Sequence, residues 1–269
     1  MRGEPEGVRG RPKKPAAVQF DKQAEKFSNW SVTRNLEYMQ AYFNFCRIVP
    51  EDDLLDVACG TGEFSLFCAS RVKSVTGVDI SEGMIGIAKL QATKANLVNV
   101  HLICHDVEDL PLPNDAFSAV ICKSTFHHLE QPEAIFGEMI RCCKQGGKIS
   151  VQDIISYENE KVNDFFERME QEIDASHHRT CSREYLTYLY EAHQLKITGT
   201  YGLEIELDFR EYLDHADQSD RNRKNIAGLL DHGLQDEQIS EYFTRRKGHL
   251  FFRRNIFLIL GEKASAGRS

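Results

Sequence analysis

The feature that most constrains the fold is a short apolar run that ends in a glycine turn. Residues 54–58, Leu-Leu-Asp-Val-Ala, have the length and composition of a buried strand, and Gly60-Thr61-Gly62 follows almost at once. An amphipathic segment begins after the turn, so the local order is strand, tight turn and helix. Glycine at 60 and 62 removes the Cβ atoms that would block a ligand, and the first N–H groups of the helix point above the turn. This arrangement predicts a site for a nucleotide-like cofactor.

Strand and helix patterns alternate along the first part of the chain. The predicted strands are residues 54–58, 74–79, 98–104, 116–122 and 148–155, with amphipathic segments between them. Such alternation, with right-handed crossovers, predicts a doubly wound, mostly parallel α/β sheet. The carboxyl ends of its strands share one edge, where the sequence places Gly60, Asp79, Asp106, His127 and Asp153. We expect ligands to bind along that edge.

Asp79 is the candidate ribose ligand. It ends the second predicted strand, and in nucleotide-binding α/β folds an acid roughly 20 residues beyond the glycine turn accepts hydrogen bonds from ribose hydroxyls. The alternative is that Asp79 caps the next helix, a role that Ser81 could fill equally. A dinucleotide site would favour a third glycine, whereas Glu63-Phe64-Ser65 follows Gly62.

Three motifs carry a resemblance to a known family. Residues 55–62, Leu-Asp-Val-Ala-Cys-Gly-Thr-Gly, look like its first motif; residues 78–81 with Met84 look like its second; and residues 106–111 look like its adenine-side segment. The sequence thus resembles the class I S-adenosylmethionine-dependent methyltransferases, in particular the ubiquinone/menaquinone-biosynthesis-like family (methyltransferase type 11). The resemblance covers roughly residues 19–155, and the C-terminal part matches only loosely. Ala58 departs from the pattern, since many members have a further glycine there.

The resemblance implies a Rossmann-like sheet of seven strands, the last of them antiparallel, with S-adenosylmethionine laid across Gly60, Asp79 and Asp106. Asp56 would reach the methionine ammonium group through water, and the Val107 N–H would donate to an adenine ring nitrogen. Two aromatic residues before the first strand resemble the family's N-terminal lid, with core packing as the alternative. The full set of expected cofactor contacts is Asp56, Cys59, Gly60, Gly62, Asp79, Ile80, Met84, Asp106, Val107, Lys123 and the two lid residues, Phe27 and Trp30.

Two histidine pairs are the candidates for catalysis and substrate contact. His127 and His128 follow the fourth predicted strand at the ligand edge, and histidine titrates near neutral pH, so either could act as a general base. The alternative is that they pack or cap the next helix. His177, His178 and Arg179 form a second polar cluster that could contact substrate. Adjacent histidines do not easily point at one ion, and we expect no metal.

The domain organisation follows from changes of composition along the chain. Residues 1–17 are rich in Gly, Pro, Lys and Arg and predict a disordered tail, which could touch acidic partners or simply be solvated. We expect one domain, residues 18–264, with a core at 50–155, helical insertions at 156–193 and 207–245 that cover the carboxyl edge, and a tail at 265–269.

Composition limits the partners. The net charge of -8 argues against binding to nucleic acid, which needs a basic face. Eight cysteines without a CxxC pair suggest reduced core thiols. No apolar run is long enough to span a bilayer, and no apolar signal core precedes the first helix. We therefore expect a cytoplasmic protein with a small-molecule substrate and no membrane span; the sequence does not predict its oligomeric state.

The resulting functional prediction is S-adenosylmethionine-dependent methyl transfer to oxygen, carbon or nitrogen of a small organic molecule. One alternative is a methyltransferase for protein or RNA; another is a non-catalytic S-adenosylmethionine-binding regulator. In family terms, an Asn-Pro-Pro-Tyr type tetrapeptide after the fourth strand would favour methylation of adenine or glutamine nitrogen, but Lys123-Ser124-Thr125-Phe126 stands there.

Overall fold

The computed structural model describes residues 14–216 and 218–265. The predicted tails therefore lie largely outside the described residues. The first helix, α1 (Pro15–Ser28), begins inside the tail predicted at 1–17. Proline suits the first turn of a helix because it has no N–H to lose there, and Ala17 is already only 3% exposed. The prediction of disorder was wrong for Pro15–Ala17.

The other helices are α2 (Leu36–Phe45), α3 (Glu63–Ala69), α4 (Glu82–Lys94), α5 (Pro132–Cys142), α6 (Glu160–Ile173), α7 (Arg183–Ala192), α8 (Phe209–His215), α9 (Asp220–Gly233) and α10 (Glu237–Ser240). The strands are β1 (Asp53–Val57), β2 (Ser74–Asp79), β3 (Val100–Cys104), β4 (Phe117–Lys123), β5 (Cys143–Ile154), β6 (Lys196–Asp208), β7 (Phe243–Arg246) and β8 (His249–Glu262). Among the described residues, no helix combines the length and apolar character needed to cross a bilayer.

The strands form one sheet in the order β3-β2-β1-β4-β5-β8-β6, and β7 pairs with β8. Strands β1 to β5 are mutually parallel, whereas β8 runs antiparallel to both β5 and β6. The expectation of a doubly wound, mostly parallel α/β fold is confirmed. The strand count was wrong, because the described part of the sheet has eight strands rather than seven. The extra strand, β7, lies in a region predicted as helical and turns into β8 through Lys247 and Gly248, both at positive φ, as a two-residue hairpin loop requires.

Strand β5 also differs from the prediction. The sequence predicted a break at Gly146-Gly147 before a strand at 148–155, but β5 begins at Cys143, directly after α5. The pairing of β4 with β5 shifts register between Phe117 and Ala119, and Gly146 adopts φ +72°. The glycines therefore sit within an irregular strand, where positive φ and close packing suit them.

Two apolar clusters cover the two faces of the sheet, and a third lies beyond its edge. The third cluster joins α6, α8 and α9 to the outer parts of β6 and β8 through residues such as Phe166, Met169 and Phe252. It anchors the regions predicted as insertions, so that α6 and α8 face the carboxyl ends of the parallel strands.

Candidate functional site

A cavity of about 1020 Å³ lies at the carboxyl ends of the parallel strands. Its floor comes from the segments that follow β1, β2, β3 and β4, and its walls come from α1, α6, α8 and the inner faces of β6 and β8. Small-molecule sites usually measure roughly 300–1,000 Å³. The cavity therefore has room for a cofactor and a second small molecule.

The glycine turn after β1 forms one end of the floor. Gly60 adopts φ +55° and Gly62 adopts φ +81°, both in the left-handed region that side chains disfavour. A Cβ atom at Gly62 would also lie 2.9 Å from the Cβ of Ala88 on α4. The turn thus needs glycine at 62 for both its backbone conformation and its packing.

Asp79 ties the ends of β1 and β2 together beside this turn. Its Oδ2 accepts the Gly60 N–H at 2.8 Å, and its Oδ1 accepts the Ser81 N–H at 2.9 Å. The side chain is 6% exposed, and burial raises the pKa of Asp79 despite the opposing effect of the two N–H donors. The cap of α4 is Ser81, whose hydroxyl accepts the Met84 N–H at 3.1 Å, so Asp79 is not needed as the cap.

Asp56 and Lys123 are buried charged groups on the same floor. Burial raises the pKa of Asp56 to about 6, although Ser65 donates a hydrogen bond to its Oδ2 at 2.5 Å. Burial lowers the pKa of Lys123, which carboxylates such as Asp56 only partly counteract. Both side chains line the cavity. Asp56 and Lys123 are both shielded from water. Their surroundings therefore favour a ligand that carries charges of its own.

The predicted adenine side lies after β3. Four of its expected contacts, Ile80, Met84, Asp106 and Val107, line the cavity. The Lys14 ammonium group, one residue before α1, lies 2.8 Å from Asp106 Oδ2 and 2.6 Å from Glu108 Oε2. This double ion pair holds the start of α1 against the predicted adenine end.

The predicted lid residues lie over the turn. A Cβ atom at Gly60 would be 3.7 Å from the Phe27 ring. Trp30 stacks on His215 of α8, with 4.3 Å between the ring centroids, and both rings line the cavity. The sequence left two alternatives for Phe27 and Trp30, a lid over the site or packing within the fold. Both rings pack against other side chains and also line the cavity, so each residue has both features.

His127 forms a buried pair with Asp153. Its Nδ1 lies 2.6 Å from Asp153 Oδ1, while Asp153 Oδ2 accepts the N–H groups of Thr125 and Phe126 at 2.8 and 2.6 Å. Burial opposes charge on the ring, but the negative charge and hydrogen bond of Asp153 outweigh it and raise the pKa of His127. The second ring nitrogen, Nε2, has no hydrogen-bond partner among the described residues, and His127 lines the cavity.

His128 has a different environment. Its Nδ1 lies 3.0 Å from Ser176 Oγ, and that hydroxyl donates to Asp174 Oδ1 at 2.5 Å. The serine oxygen can then only accept from the ring, which places the proton of neutral His128 on Nδ1. Burial, followed by the charge of neighbouring His127, lowers the pKa of His128 to about 3. His128 is therefore a neutral ring across the working pH range.

The second histidine pair is split by the fold. His177 Nε2 lies 3.0 Å from Glu167 Oε2, and its buried side chain lines the cavity. His178 is exposed at the cavity rim, whereas Arg179 is exposed and does not belong to the cavity lining. The structure brings His177 to His127, with ring centroids 5.7 Å apart, but gives Arg179 no place in the site.

Sequence reasoning missed the acids of α6 and an arginine of β8. Glu167 and Glu170 on α6, with Asp174 just after it, follow helical spacing and lie beside its apolar face, a pattern that could have been noticed. Arg254 occupies an inward position of β8, in step with Phe252 and Ile256 on either side. A charged residue at a position where the alternation predicts a buried apolar side chain was the signal that could have identified Arg254.

Known proteins resemble this chain in sequence and in fold. A family model described as a methyltransferase domain matches residues 55–151. The chain contains a class I S-adenosylmethionine-dependent methyltransferase domain. It is 24% identical over 217 residues to the uncharacterized methyltransferase YcgJ of Bacillus subtilis. The aligned residues make up 81% of this chain and 86% of that protein. It is 29% identical over 122 residues to the demethylmenaquinone methyltransferase of Listeria monocytogenes, across 44% of this chain and only 52% of that relative.

Solved structures place the methyltransferase domain in the same fold. The YcgJ structure from Bacillus subtilis gives a TM-score of 0.76 at 22% identity, covering 86% of this chain and 99% of that one. A geranyl diphosphate C-methyltransferase from Streptomyces coelicolor A3(2), in complex with S-adenosyl-L-homocysteine, gives a TM-score of 0.58 at 14% identity, covering 85% of this chain and 76% of that one. At these identities the likeness concerns the fold.

The cofactor of the methyltransferase domain is S-adenosylmethionine. The residues of the cavity fit this molecule. Its sulfonium and ammonium groups are cationic, and the floor presents the buried carboxyl groups of Asp56 and Asp79. Bare backbone at Gly60 and Gly62 leaves the space that side chains would otherwise fill.

Proposed function

We propose that this protein transfers the methyl group of S-adenosylmethionine to a small organic molecule whose acceptor atom carries an acidic proton, such as a hydroxyl group. The observation that carries the proposal is the His127–Asp153 pair, which lies in the same cavity as the glycine turn and Asp79. When bound, S-adenosylmethionine supplies an activated methyl group on a sulfonium leaving group. The chain must then align the acceptor, exclude water and remove the proton.

In this proposal the cofactor lies across the floor of the cavity. Asp79 accepts from the ribose hydroxyls, Asp106 and the Val107 N–H bind the adenine ring, and Asp56 balances the ammonium group. Gly60 and Gly62 let backbone approach the methionine part, and the other predicted contacts line the same floor. Phe27 and Trp30 cover the cofactor from α1 and exclude water.

His127 is the proposed general base. Asp153 holds the proton on Nδ1, which leaves the Nε2 lone pair to take the proton of the acceptor. A raised pKa makes the neutral ring a stronger base. His128, whose pKa is about 3, holds an added proton poorly and instead positions the acceptor.

A turnover assay with S-adenosylmethionine tests the proposal. We would measure S-adenosylhomocysteine formation with phenols, quinone precursors and amines, for the wild type and for His127→Gln. We expect at least one hydroxyl compound to be methylated, and the variant to lose roughly 100-fold or more in rate while it keeps cofactor affinity. Tight cofactor binding without turnover on any compound would favour a non-catalytic regulator instead.

A further inference from the structure

Arg254 is a buried charge on the cavity wall that the proposed reaction does not use. It lies on β8, is only 1% exposed, and belongs to the lining of the cavity. Its guanidinium carbon lies 5.7 Å from the centre of the Tyr157 ring and 5.4 Å from that of Phe166. These rings hold the side chain in place, and the Tyr157 hydroxyl, which donates to the Arg253 carbonyl oxygen, also interacts with the Arg254 guanidinium group.

The pairing of Arg254 within the described residues is incomplete. Its Nη1 lies 3.4 Å from Oε1 of Glu170 without forming a hydrogen bond, and the other oxygen of Glu170 accepts the Tyr212 hydroxyl at 2.7 Å. Nε and Nη2 of Arg254 are buried and have no hydrogen-bond partner among those residues. Buried donors on a permanent charge are unfavourable unless something accepts from them.

The unpaired edge of Arg254 has a specific shape. The N–H groups of Nε and Nη2 lie in the guanidinium plane, point in parallel from one edge of it and form the fork that binds both oxygens of a carboxylate. Glu170 stands on the Nη1 side, so the fork has no partner among the described residues; its two nitrogens are enclosed by the surrounding side chains, which must move apart before a ligand reaches them. A two-oxygen anion is therefore the group that would complete the pairing of Arg254.

Apolar side chains separate this fork from the proposed base. Ile205 pairs with Arg254 across the strands, and Ile154 pairs with Ile256; all three isoleucines line the cavity. A ligand that reaches from Arg254 to His127 would carry an anion at one end, an apolar body and a protic group at the other.

We propose that Arg254 binds a carboxylate of the methyl acceptor through Nε and Nη2, so that the substrates are small hydroxy acids. This inference rests on the proposed function, because it assumes that the acceptor shares the cavity with the cofactor.

Binding of matched acids and amides tests the inference without requiring turnover. We would titrate 2-, 3- and 4-hydroxybenzoate, the corresponding hydroxybenzamides and inorganic phosphate into the protein saturated with S-adenosylhomocysteine. We expect at least one acid to bind ten times or more tighter than its amide. Equal binding of acid and amide, binding of phosphate alone, or no binding of any acid would overturn the proposal.

Variants connect the preference to the guanidinium fork. Arg254→Met should abolish the preference for acid over amide, and Arg254→Lys should retain only part of it, while both keep their affinity for S-adenosylhomocysteine. Arg253→Met is the matched control, because Arg253 is the adjacent residue and its side chain pairs with exposed Glu204; it should keep the full preference. A preference that survives in Arg254→Met would overturn the assignment. If Arg254→Met does not fold, the lysine variant and the wild-type comparison still decide.

Parallel turnover measurements separate this inference from the proposed function. A carboxylate preference without any S-adenosylhomocysteine formation would leave the role of Arg254 standing and count against methyl transfer. Equal turnover of an acid and its amide would support methyl transfer and overturn the role of Arg254.

Discussion

At the scale of single residues, the cavity combines buried polar side chains with partners that hydrogen-bond to them. Asp79 accepts hydrogen bonds from two backbone N–H groups, His127 pairs with Asp153, and His177 pairs with Glu167. Each partner holds its side chain in one orientation, so the groups are positioned before a ligand arrives. Arg254 departs from this pattern because its fork is unpaired within the described chain.

Changing Asp79 to Ala should weaken S-adenosylhomocysteine binding at least tenfold. A tenfold loss corresponds to about 1.4 kcal/mol, and hydrogen bonds to a charged acceptor contribute about 1.5–3 kcal/mol each. Calorimetry would measure the dissociation constant. Asp53→Ala is the control, because Asp53 starts β1 at the opposite edge of the sheet, where it pairs with Lys73 and Lys144. Unchanged affinity in Asp79→Ala would remove the ribose assignment.

Changing Asp153 to Asn should move the pH profile of methyl transfer toward lower pH. The wild-type rate should rise with pH as His127 loses its proton, through a pKa above the ordinary value of 6.5, because Asp153 stabilises the charged ring. Without that charge the pKa of His127 falls, so the rising limb shifts down and the plateau drops by roughly 10–100-fold. Initial rates across pH would measure both effects.

Asp115→Asn provides the control for this profile. Asp115 lies on the surface and pairs with Lys263, away from the cavity lining. Its removal should leave the wild-type profile in place. An Asp153→Asn profile that coincides with the wild type would exclude His127 as the base.

At the scale of elements, two helices turn the sheet edge into a cavity. Helix α1 brings Phe27 over the glycine turn, and α6 presents two acids, Glu167 to His177 and Glu170 to Tyr212. Both helices pack through apolar faces, which is why their polar residues can face inward without loosening the fold.

Cofactor binding should change the fluorescence of Trp30. This residue is the only tryptophan of the chain, follows α1 directly, and lines the cavity while stacked on His215. A ligand that contacts or shifts this ring changes the polarity of the surroundings of the indole and the quenching of its fluorescence by His215. Titration with S-adenosylhomocysteine should therefore give a saturable change in emission, with the same midpoint as calorimetry.

Trp30→Phe is the control for that titration. It should bind the ligand with similar affinity and lose the optical signal. If the wild type binds the ligand by calorimetry and its emission stays constant, Trp30 is not part of the cofactor lid.

At the scale of the whole molecule, one continuous sheet links the floor of the cavity to the wall that β6 and β8 form. Strand β8 lies between β5 and β6, so the C-terminal strands continue the same sheet from β5, which in turn pairs with β4 of the cavity floor. We therefore propose that the region predicted as one domain, residues 18–264, unfolds as one unit.

Heating should give a single unfolding transition that S-adenosylhomocysteine moves upward. A ligand at 100 times its dissociation constant stabilises the folded state by about 2.7 kcal/mol, which corresponds to a shift of roughly 5–10 °C for a domain of this size. Calorimetric scans with and without ligand would measure it. Two separate transitions, only one of them shifted by the ligand, would show that the C-terminal region is a second domain.

The segments that form the cavity floor could be predicted because their signals are local. The glycine turn connects β1 to α3, Asp79 ends β2, and Asp106 follows β3. Each of these signals lies within one short stretch of the chain. Secondary structure failed where local signals were weak or misleading: Pro15 starts a helix in a basic stretch, Gly146 and Gly147 sit inside β5, and β7 lies in a charged segment.

The sequence by itself determined the alternating α/β pattern, the turn at Gly60-Thr61-Gly62 and the edge of the sheet at which the cavity lies. Only the tertiary structure decided which polar groups meet there. His127 follows β4 and Asp153 lies near the end of the neighbouring β5, and Arg254 and Glu170 come from a strand and a helix that are far apart in the chain. Strand order and helix packing bring such distant residues into contact. No local sequence pattern predicts these contacts.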